Sequence, residues 1–398
     1  MSTSRREFFL AGAGALAASK PKSVAAVVTV YRKRSHADVI CGRILEGYSP
    51  NNVRVEPRTR IVSMYVDQTP AEDMSRALAA RHGFRIYPSI REALTLGGPK
   101  LAVDAVLFVG EHGDYPWNSR GQHLYPRYEM FEQIASVIRA SGRAVPVYFD
   151  KHFSYSWEKA KRIYDWSREL KLPLMAGSSI PVTVRTPRVE FPLEAPVEHA
   201  VSVGYGNTDA YGFHTLETLQ CMIERRKGAE KGIRAVQMIE GPAVWKWRDG
   251  EGRWSAPLLE AACATTPQTK AGAPEQNTKE PVLFVLEYRD GFRAASYLLN
   301  GHTQGFLFAA KMTDKTAPAA CCFGFTGQGR DLPHFDGLAH CIEELFVTGK
   351  PLYPVERTLL TTGALAFLFE SRERGARVET PELAIAYRAP RRAYFQES

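Results

Sequence analysis

Val24-Ala25-Ala26-Val27-Val28-Thr29-Val30, then Tyr31-Arg32-Lys33-Arg34-Ser35-His36, then a helical pattern from Ala37 to Leu45, is the stretch that decides the fold. A short, almost unbroken apolar run ahead of a helix reads as a strand buried on both faces. The unit repeats. Ile61-Val62-Ser63-Met64-Tyr65-Val66 gives a second strand ending at Asp67, and Ala71 to His82 a helix behind the start signal Thr69-Pro70. Ala105-Val106-Leu107-Phe108-Val109, a helix from Tyr128 to Ala140, Val145-Pro146-Val147-Tyr148-Phe149, a helix from Trp157 to Leu170, and Leu172-Pro173-Leu174-Met175-Ala176 complete the series. Buried strands alternating with helices predict an α/β, Rossmann-like, doubly wound parallel sheet over residues 23–180. The ligand crevice of such a sheet lies beyond the carboxyl ends of its strands. That rule gathers Tyr31 to His36, Asp67, Gly110 to Tyr115 and Asp150 to His152 around one cleft.

From about Pro181 the rhythm changes to longer, alternating strands, Val282 to Tyr288 and Ala294 to Leu299 among them. Residues 181–398 are therefore expected to form an α+β domain, an open and mostly antiparallel sheet with helices on one side. Thr, Pro, Gln, Lys and Gly dominate Thr265 to Pro281, which reads as an exposed, mobile insertion at 265–281. A length of 398 residues suits two domains, and 44% hydrophobic with 24% charged residues is the composition of a folded soluble chain. The formal charge of +8 is spread along the chain without a basic stripe, which argues against a nucleic-acid surface. No internal segment offers the roughly 18 consecutive apolar residues of a membrane helix. Cys41, Cys221, Cys263, Cys321, Cys322 and Cys341 form no CxxC pair and no Cys/His cluster at zinc spacing, so no structural zinc site is expected.

Ser4-Arg5-Arg6-Glu7-Phe8-Phe9-Leu10 precedes a small-residue apolar run and an Ala15-Leu16-Ala17 site. This is the pattern of a twin-arginine export signal over residues 1–22, and it places the protein in the periplasm or cell envelope. In that compartment a disulfide becomes open to some of the cysteines. The twin-arginine route carries folded proteins, which suits a chain that takes up a cofactor before export.

Three further segments carry a resemblance. They are Asp150-Lys151-His152 with Leu174-Met175-Ala176-Gly177 behind the next helix; Gly212-Phe213-His214-Thr215-Leu216-Glu217; and the run Gly349-Lys350-Pro351, Glu356, Phe369-Glu370-Ser371 and Val378-Glu379-Thr380-Pro381. In order and spacing they resemble the glucose-fructose oxidoreductase / inositol dehydrogenase / MocA (Gfo/Idh/MocA) family over nearly the whole chain after the signal. The first resembles the family's Glu-Lys-Pro motif, the second its Asp-x-Gly-x-x-His helix start, the third its closing helix and strand. The resemblance implies an oxidoreductase acting on a sugar or polyol through NAD or NADP, with redox-assisted glycoside cleavage as a variant. It also implies that Lys151 hydrogen-bonds the reacting hydroxyl, that His214 is the general acid/base, and that the second domain's open sheet pairs in a homo-oligomer.

The departures from that pattern are equally legible. The first βα turn should carry GxGxxG so that backbone can approach a pyrophosphate, and here it holds no glycine. Tyr31 and Arg32 crowd the usual phosphate position, while Arg32, Lys33 and Arg34 either offer it charge or form a solvated turn. By position the candidate cofactor residues are Tyr31, Arg32, Ser35, His36, Asp67, Gly110, Glu111, His112 and Asp150, with Asp67 placed to accept ribose hydroxyls. Lys151, His214 and His152 are the candidate catalytic residues, His152 as a second proton carrier or as a cap of its turn. Ala210 stands where the family has aspartate, leaving Asp209 or Tyr211 as substitutes. Glu111, His112 and Asp114 add acid/base groups or oxygen and nitrogen metal ligands, and Tyr115, Trp117 and Tyr125 offer faces that either stack on a sugar or pack. Two other classes stay open: a cofactor-free carbohydrate- or partner-binding protein, and a nucleotide-independent lyase or hydrolase using Glu111, His112, Asp114 and Lys151.

Overall fold

The computed structural model describes residues 20–324 and 332–396, so the twin-arginine segment lies outside the described residues. The first sheet consists of β1 (Lys22–Val30), β2 (Thr59–Gln68), β3 (Arg85–Ile86), β4 (Ala105–Val109), β5 (Val147–Asp150) and β6 (Leu174–Gly177). All pairs are parallel and the order is β3-β2-β1-β4-β5-β6. Helices α1 (His36–Glu46), α2 (Ser75–His82), α3 (Ile90–Thr95), α4 (Arg127–Ser141) and α5 (Trp157–Glu169) make the crossovers. Val24, Ala26 and Val28 face one helical layer and Ala25 and Val27 the other, which is why β1 is written as an unbroken apolar run. The direction of winding reverses between β1 and β4, and there the crevice opens. Helix α2 begins at Ser75 rather than Ala71. Pro70 to Asp73 close a turn (Asp73 N–H to Pro70 O, 2.9 Å), and the Met74 N–H donates to the Tyr31 carbonyl at 2.8 Å.

The second sheet holds β7 (Arg185–Thr186), β8 (Val197–Gly204), β9 (Ile233–Glu240), β10 (Val282–Tyr288), β11 (Arg293–Leu298), β12 (Phe306–Met312), β13 (Ala319–Phe323) and β14 (Val378–Glu379). Its order is β14-β9-β10-β11-β8-β12-β13-β7, antiparallel throughout except for β11 beside β8. The helices of this half are α6 (Ala210–Ile223), α7 (Ala243–Asp249), α8 (Ala256–Cys263), α9 (Pro274–Asn277), α10 (His334–Thr348) and α11 (Val355–Arg374). Phe284, Leu286, Phe306 and Phe308 bury one face against Phe213 and Leu216 of α6 and Leu360 and Leu365 of α11.

The sequence suggests helices on one side only, but both faces are covered. Val201, Val203, Leu283, Tyr297 and Leu307 are buried on the second face beneath Val244 of α7 and Leu258 and Leu259 of α8. The cause lies in the strands. A run such as Leu283-Phe284-Val285-Leu286 is apolar at both parities, so neither face tolerates water. The segment after α8 is tied down at several points: the Lys270 N–H donates to the His302 carbonyl at 2.7 Å, and Arg248 pairs with Glu275 at 3.0 Å.

The chain then returns to the first sheet. Phe335, Leu338, Ile342, Leu345 and Phe346 of α10 join the core around β1 and α1, and Arg43 pairs with Asp336 at 2.5 Å. Helix α11 bridges the two halves, with Val355 and Leu359 in the first core and Leu360 and Ala364 in the second. Arg357 of α11 and Glu224 at the end of α6 form a buried bidentate pair at 2.6 and 2.8 Å.

Candidate functional site

Lys151 follows directly on β5 with φ 70°, a left-handed conformation that costs a lysine of order 1–3 kcal/mol. Its N–H is pinned to the Gly177 carbonyl at 3.0 Å, so the strained turn is held by β6. The turn sends the side chain across to α6, where Nζ lies 2.5 Å from His214 Nε2 and 3.9 Å from Glu111 Oε1. Burial first, and the Lys151 charge next, hold the His214 pKa well below its usual value. The imidazole is therefore neutral, accepts from the Lys151 ammonium at Nε2, and donates from Nδ1 to Ser178 Oγ at 3.0 Å. The Ser178 hydroxyl in turn donates to Glu217. Burial raises the Glu217 carboxyl from the usual 4.5 to about 7.

Gly177 makes room for this arrangement. Its φ is +124°, and a Cβ there would stand 2.5 Å from Glu217 Oε1. Gly177→Ala is expected to cost about 1–3 kcal/mol of stability in a urea unfolding series. An unchanged midpoint would show that the Glu217 carboxylate is not held against β6.

On the other side of Lys151 stands Arg127, the first residue of α4 and 1% exposed. Its guanidinium donates to the Gly110 carbonyl at 2.8 Å, pairs with Glu111, reaches His152 Nε2 at 2.9 Å, and lies over the Tyr125 ring at 4.7 Å. His152 Nδ1 is 3.1 Å from the Ser154 carbonyl, so both ring nitrogens are engaged, and burial with the Arg127 charge keeps the ring neutral. Burial alone would raise the Glu111 carboxyl. Lys151 first and Arg127 next outweigh it and hold Glu111 well below the usual carboxylate range. Asp209, just ahead of α6, accepts from the His123 N–H at 3.0 Å, and burial lifts its carboxyl to about 6. Its Oδ1 is buried with no hydrogen-bond partner among the described residues.

The turn from β1 into α1 is closed on itself. Ser35 Oγ accepts the N–H groups of Arg32 and Asp38, each at 3.3 Å, and the Asp38 carboxylate accepts that of Arg34 at 2.8 Å. The His36 N–H donates to His112 Nδ1 at 3.3 Å, and His36 Nδ1 meets Asp150 Oδ2 at 2.6 Å. Burial, with the nearby His36, lowers the His112 pKa to about 4, consistent with its acceptor role. Tyr31 is buried in the first core, while Arg32, Lys33 and Arg34 are exposed. At the end of β2, Asp67 accepts from the hydroxyls of Tyr65 (2.8 Å) and Tyr115 (2.7 Å).

No protein-family model and no curated protein sequence matches the chain. Solved structures do. Scyllo-inositol dehydrogenase from Lactobacillus casei, with bound NAD(H) and scyllo-inositol, is 12% identical with a TM-score of 0.56 over 90% of this chain and 99% of its own. Myo-inositol 2-dehydrogenase from Lactobacillus plantarum is 10% identical with a TM-score of 0.54, again over 90% and 99%. UDP-N-acetylglucosamine 3-dehydrogenase from Acidithiobacillus ferrooxidans is 10% identical with a TM-score of 0.51, over 87% and 97%.

The chain has the fold of the Gfo/Idh/MocA oxidoreductases.

A dinucleotide in the usual pose of such a parallel sheet needs free amides at the β1–α1 turn. Here those amides serve Ser35, Asp38 and His112, a carboxylate stands in the turn, and the acid at the end of β2 already accepts two tyrosine hydroxyls. The residues present do not fit a pyrophosphate in that place.

The strand-end groups named from sequence do converge. His36 meets Asp150 and His112, Glu111 lies beside Lys151, and Lys151 meets His214. Arg32 points to solvent and Tyr31 into the core, away from them. Sequence reasoning missed Arg127 and Ser178 and gave Glu217 no role. Of these only Glu217 left a signal, three residues beyond His214 and so on the same helical face. Among the described residues no group of three or more His, Cys, Asp or Glu is arranged to hold a metal, and no helix is long and apolar enough to cross a membrane.

Proposed function

We propose that the protein is an enzyme acting on a sugar or polyol between its two sheets, with Lys151 exchanging a proton with a substrate hydroxyl. The observation that carries this reading is the 2.5 Å contact between Lys151 Nζ and His214 Nε2. It joins a lysine in a strained turn of one half to a neutral histidine of the other, and both are at most 9% exposed. A conformation that costs energy is retained where the surrounding structure enforces it, and such places cluster at sites of chemistry. Glu111 and Asp209 supply acceptors for further hydroxyls. Trp117, 55% exposed and stacked on His123 at 4.3 Å, keeps one ring face open to a sugar. The fold likeness to polyol and sugar-nucleotide dehydrogenases supports the same substrate class, and the twin-arginine stretch supports an exported location.

A second reading, hydride transfer to NAD or NADP, draws support from the same likeness, and the closed β1–α1 turn weighs against it. Mass spectrometry of small molecules released from the purified full-length protein, with calorimetric titration of NAD, NADP and a panel of sugars and polyols, separates the two. A bound sugar or polyol without either dinucleotide is the expected result. Stoichiometric NAD or NADP would make hydride transfer the reaction, and a panel without any bound polyol would sink the substrate class itself.

A further inference from the structure

We infer that Glu217 is the proton store of this site, connected to Lys151 through His214 and Ser178. The inference rests on the reading of Lys151 as the group that meets the substrate hydroxyl. Lys151 Nζ is 2.5 Å from His214 Nε2, His214 Nδ1 is 3.0 Å from Ser178 Oγ, and Ser178 Oγ is hydrogen-bonded to Glu217 Oε2. The Ser178 N–H also lies 3.2 Å from each Glu217 oxygen, which fixes the carboxylate against the end of β6. Exposures of 3% for Lys151, 9% for His214, 2% for Ser178 and 1% for Glu217 leave the chain little access to bulk water. A proton removed inside such a site needs a protein group to receive it.

The step balances without an oxidant or reductant. The Lys151 ammonium first passes a proton to His214 Nε2, His214 passes its Nδ1 proton to Ser178 Oγ, and Ser178 passes its hydroxyl proton to the Glu217 carboxylate. The substrate O–H bond then breaks with its electron pair left on oxygen, and the Lys151 amine takes the proton and becomes an ammonium again. When the relay comes to rest, Glu217 has gone from carboxylate to carboxylic acid and His214 from its Nδ1–H to its Nε2–H tautomer, and the return path restores both.

The groups around Glu217 favour neither form strongly. Ser178 after β6 and Lys151 after β5 stabilise the anion, as does Arg357 on α11, although that guanidinium is committed to Glu224. His214 on α6, 3.9 Å away, is neutral, and the buried phenols of Tyr148 and Tyr353 stay protonated. Burial opposes the anion and brings the carboxyl to about 7, where a proton is taken up and released with little cost.

The test reads the His214 imidazole by nitrogen NMR in the full chain labelled with ¹⁵N-histidine, with His214→Gln used to assign the signals. The expected result is an Nδ1-protonated tautomer whose shifts follow a titration with a midpoint near neutral. Glu217→Gln should abolish that titration, Ser178→Ala should uncouple His214 from it, and Glu217→Asp should retain it at a displaced midpoint. A carboxylate that merely caps the backbone at Ser178 would leave His214 flat. Shifts that do not move between about pH 5.5 and 8.5, or the same midpoint in Glu217→Gln, overturn the inference. No substrate enters this measurement. A flat His214 therefore removes the relay while sugar binding, measured separately, stands or falls on its own.

Discussion

Lys151→Met is expected to lower turnover of the bound sugar or polyol by about 10²- to 10⁴-fold, the usual contribution of a positioned acid or base. Methionine fills much of the lysine's volume, and Glu111 keeps its pairing with Arg127 when the ammonium is gone. The fold should therefore survive, and the loss should appear in kcat and kcat/KM alike, as for an interaction made only as the proton moves. Lys151→Arg should not rescue turnover, because a guanidinium stays protonated and cannot accept the proton. Steady-state kinetics on the substrate found in the binding panel decides the matter, and unchanged turnover in Lys151→Met would remove Lys151 from the chemistry.

The largest expected effect on stability belongs to Arg127. Arg127→Met removes the partner of a buried carboxylate and leaves the Gly110 carbonyl and His152 Nε2 without their donor. Breaking a buried pair from one side typically costs about 3–5 kcal/mol. The sign of the pH dependence follows from the depressed Glu111 carboxyl. A folded-state pKa below the usual 4.5 contributes stability above that value and loses it as pH falls through the folded value. Without Arg127 this contribution shrinks, so the deficit should be widest at neutral pH and narrow in acid. Urea unfolding of both proteins at neutral and acid pH would show it, and a deficit that widens in acid would contradict the assignment of Glu111 as the buried anion.

How much of this was readable beforehand depends on how each feature writes itself in the chain. Strand β1 is buried on both faces, so Val24 to Val30 carry an unbroken apolar signal, and the parallel sheet was plain from it. Strand β8 is harder, because Glu198, His199 and Ser202 interrupt Val197 to Gly204 and only tertiary pairing on both sides makes it central. The cover supplied by α7 and α8 was invisible, since Ala243 to Cys263 pattern like any amphipathic surface helices and nothing local says which face of the sheet they seek. In the site, Lys151 and His214 were legible because one ends a strand and the other begins a helix, positions that a parallel sheet brings to its crevice. Arg127 was not, because its partners lie in loops on either side of α4 and long-range burial alone gives it meaning. The cofactor turn shows the reverse case. The absent glycines were obvious, but the reason the turn holds without them, with Ser35, Asp38 and His112 taking the amides, is a matter of three-dimensional pairing.

The double covering of the second sheet has a thermodynamic meaning. Its outer strands, β7 and β14, are two residues long and offer little ladder to extend, and neither broad face remains bare. The free energy that α7 and α8 contribute by burying Val201, Leu283 and Leu307 is thus realised within a single chain, whatever its concentration.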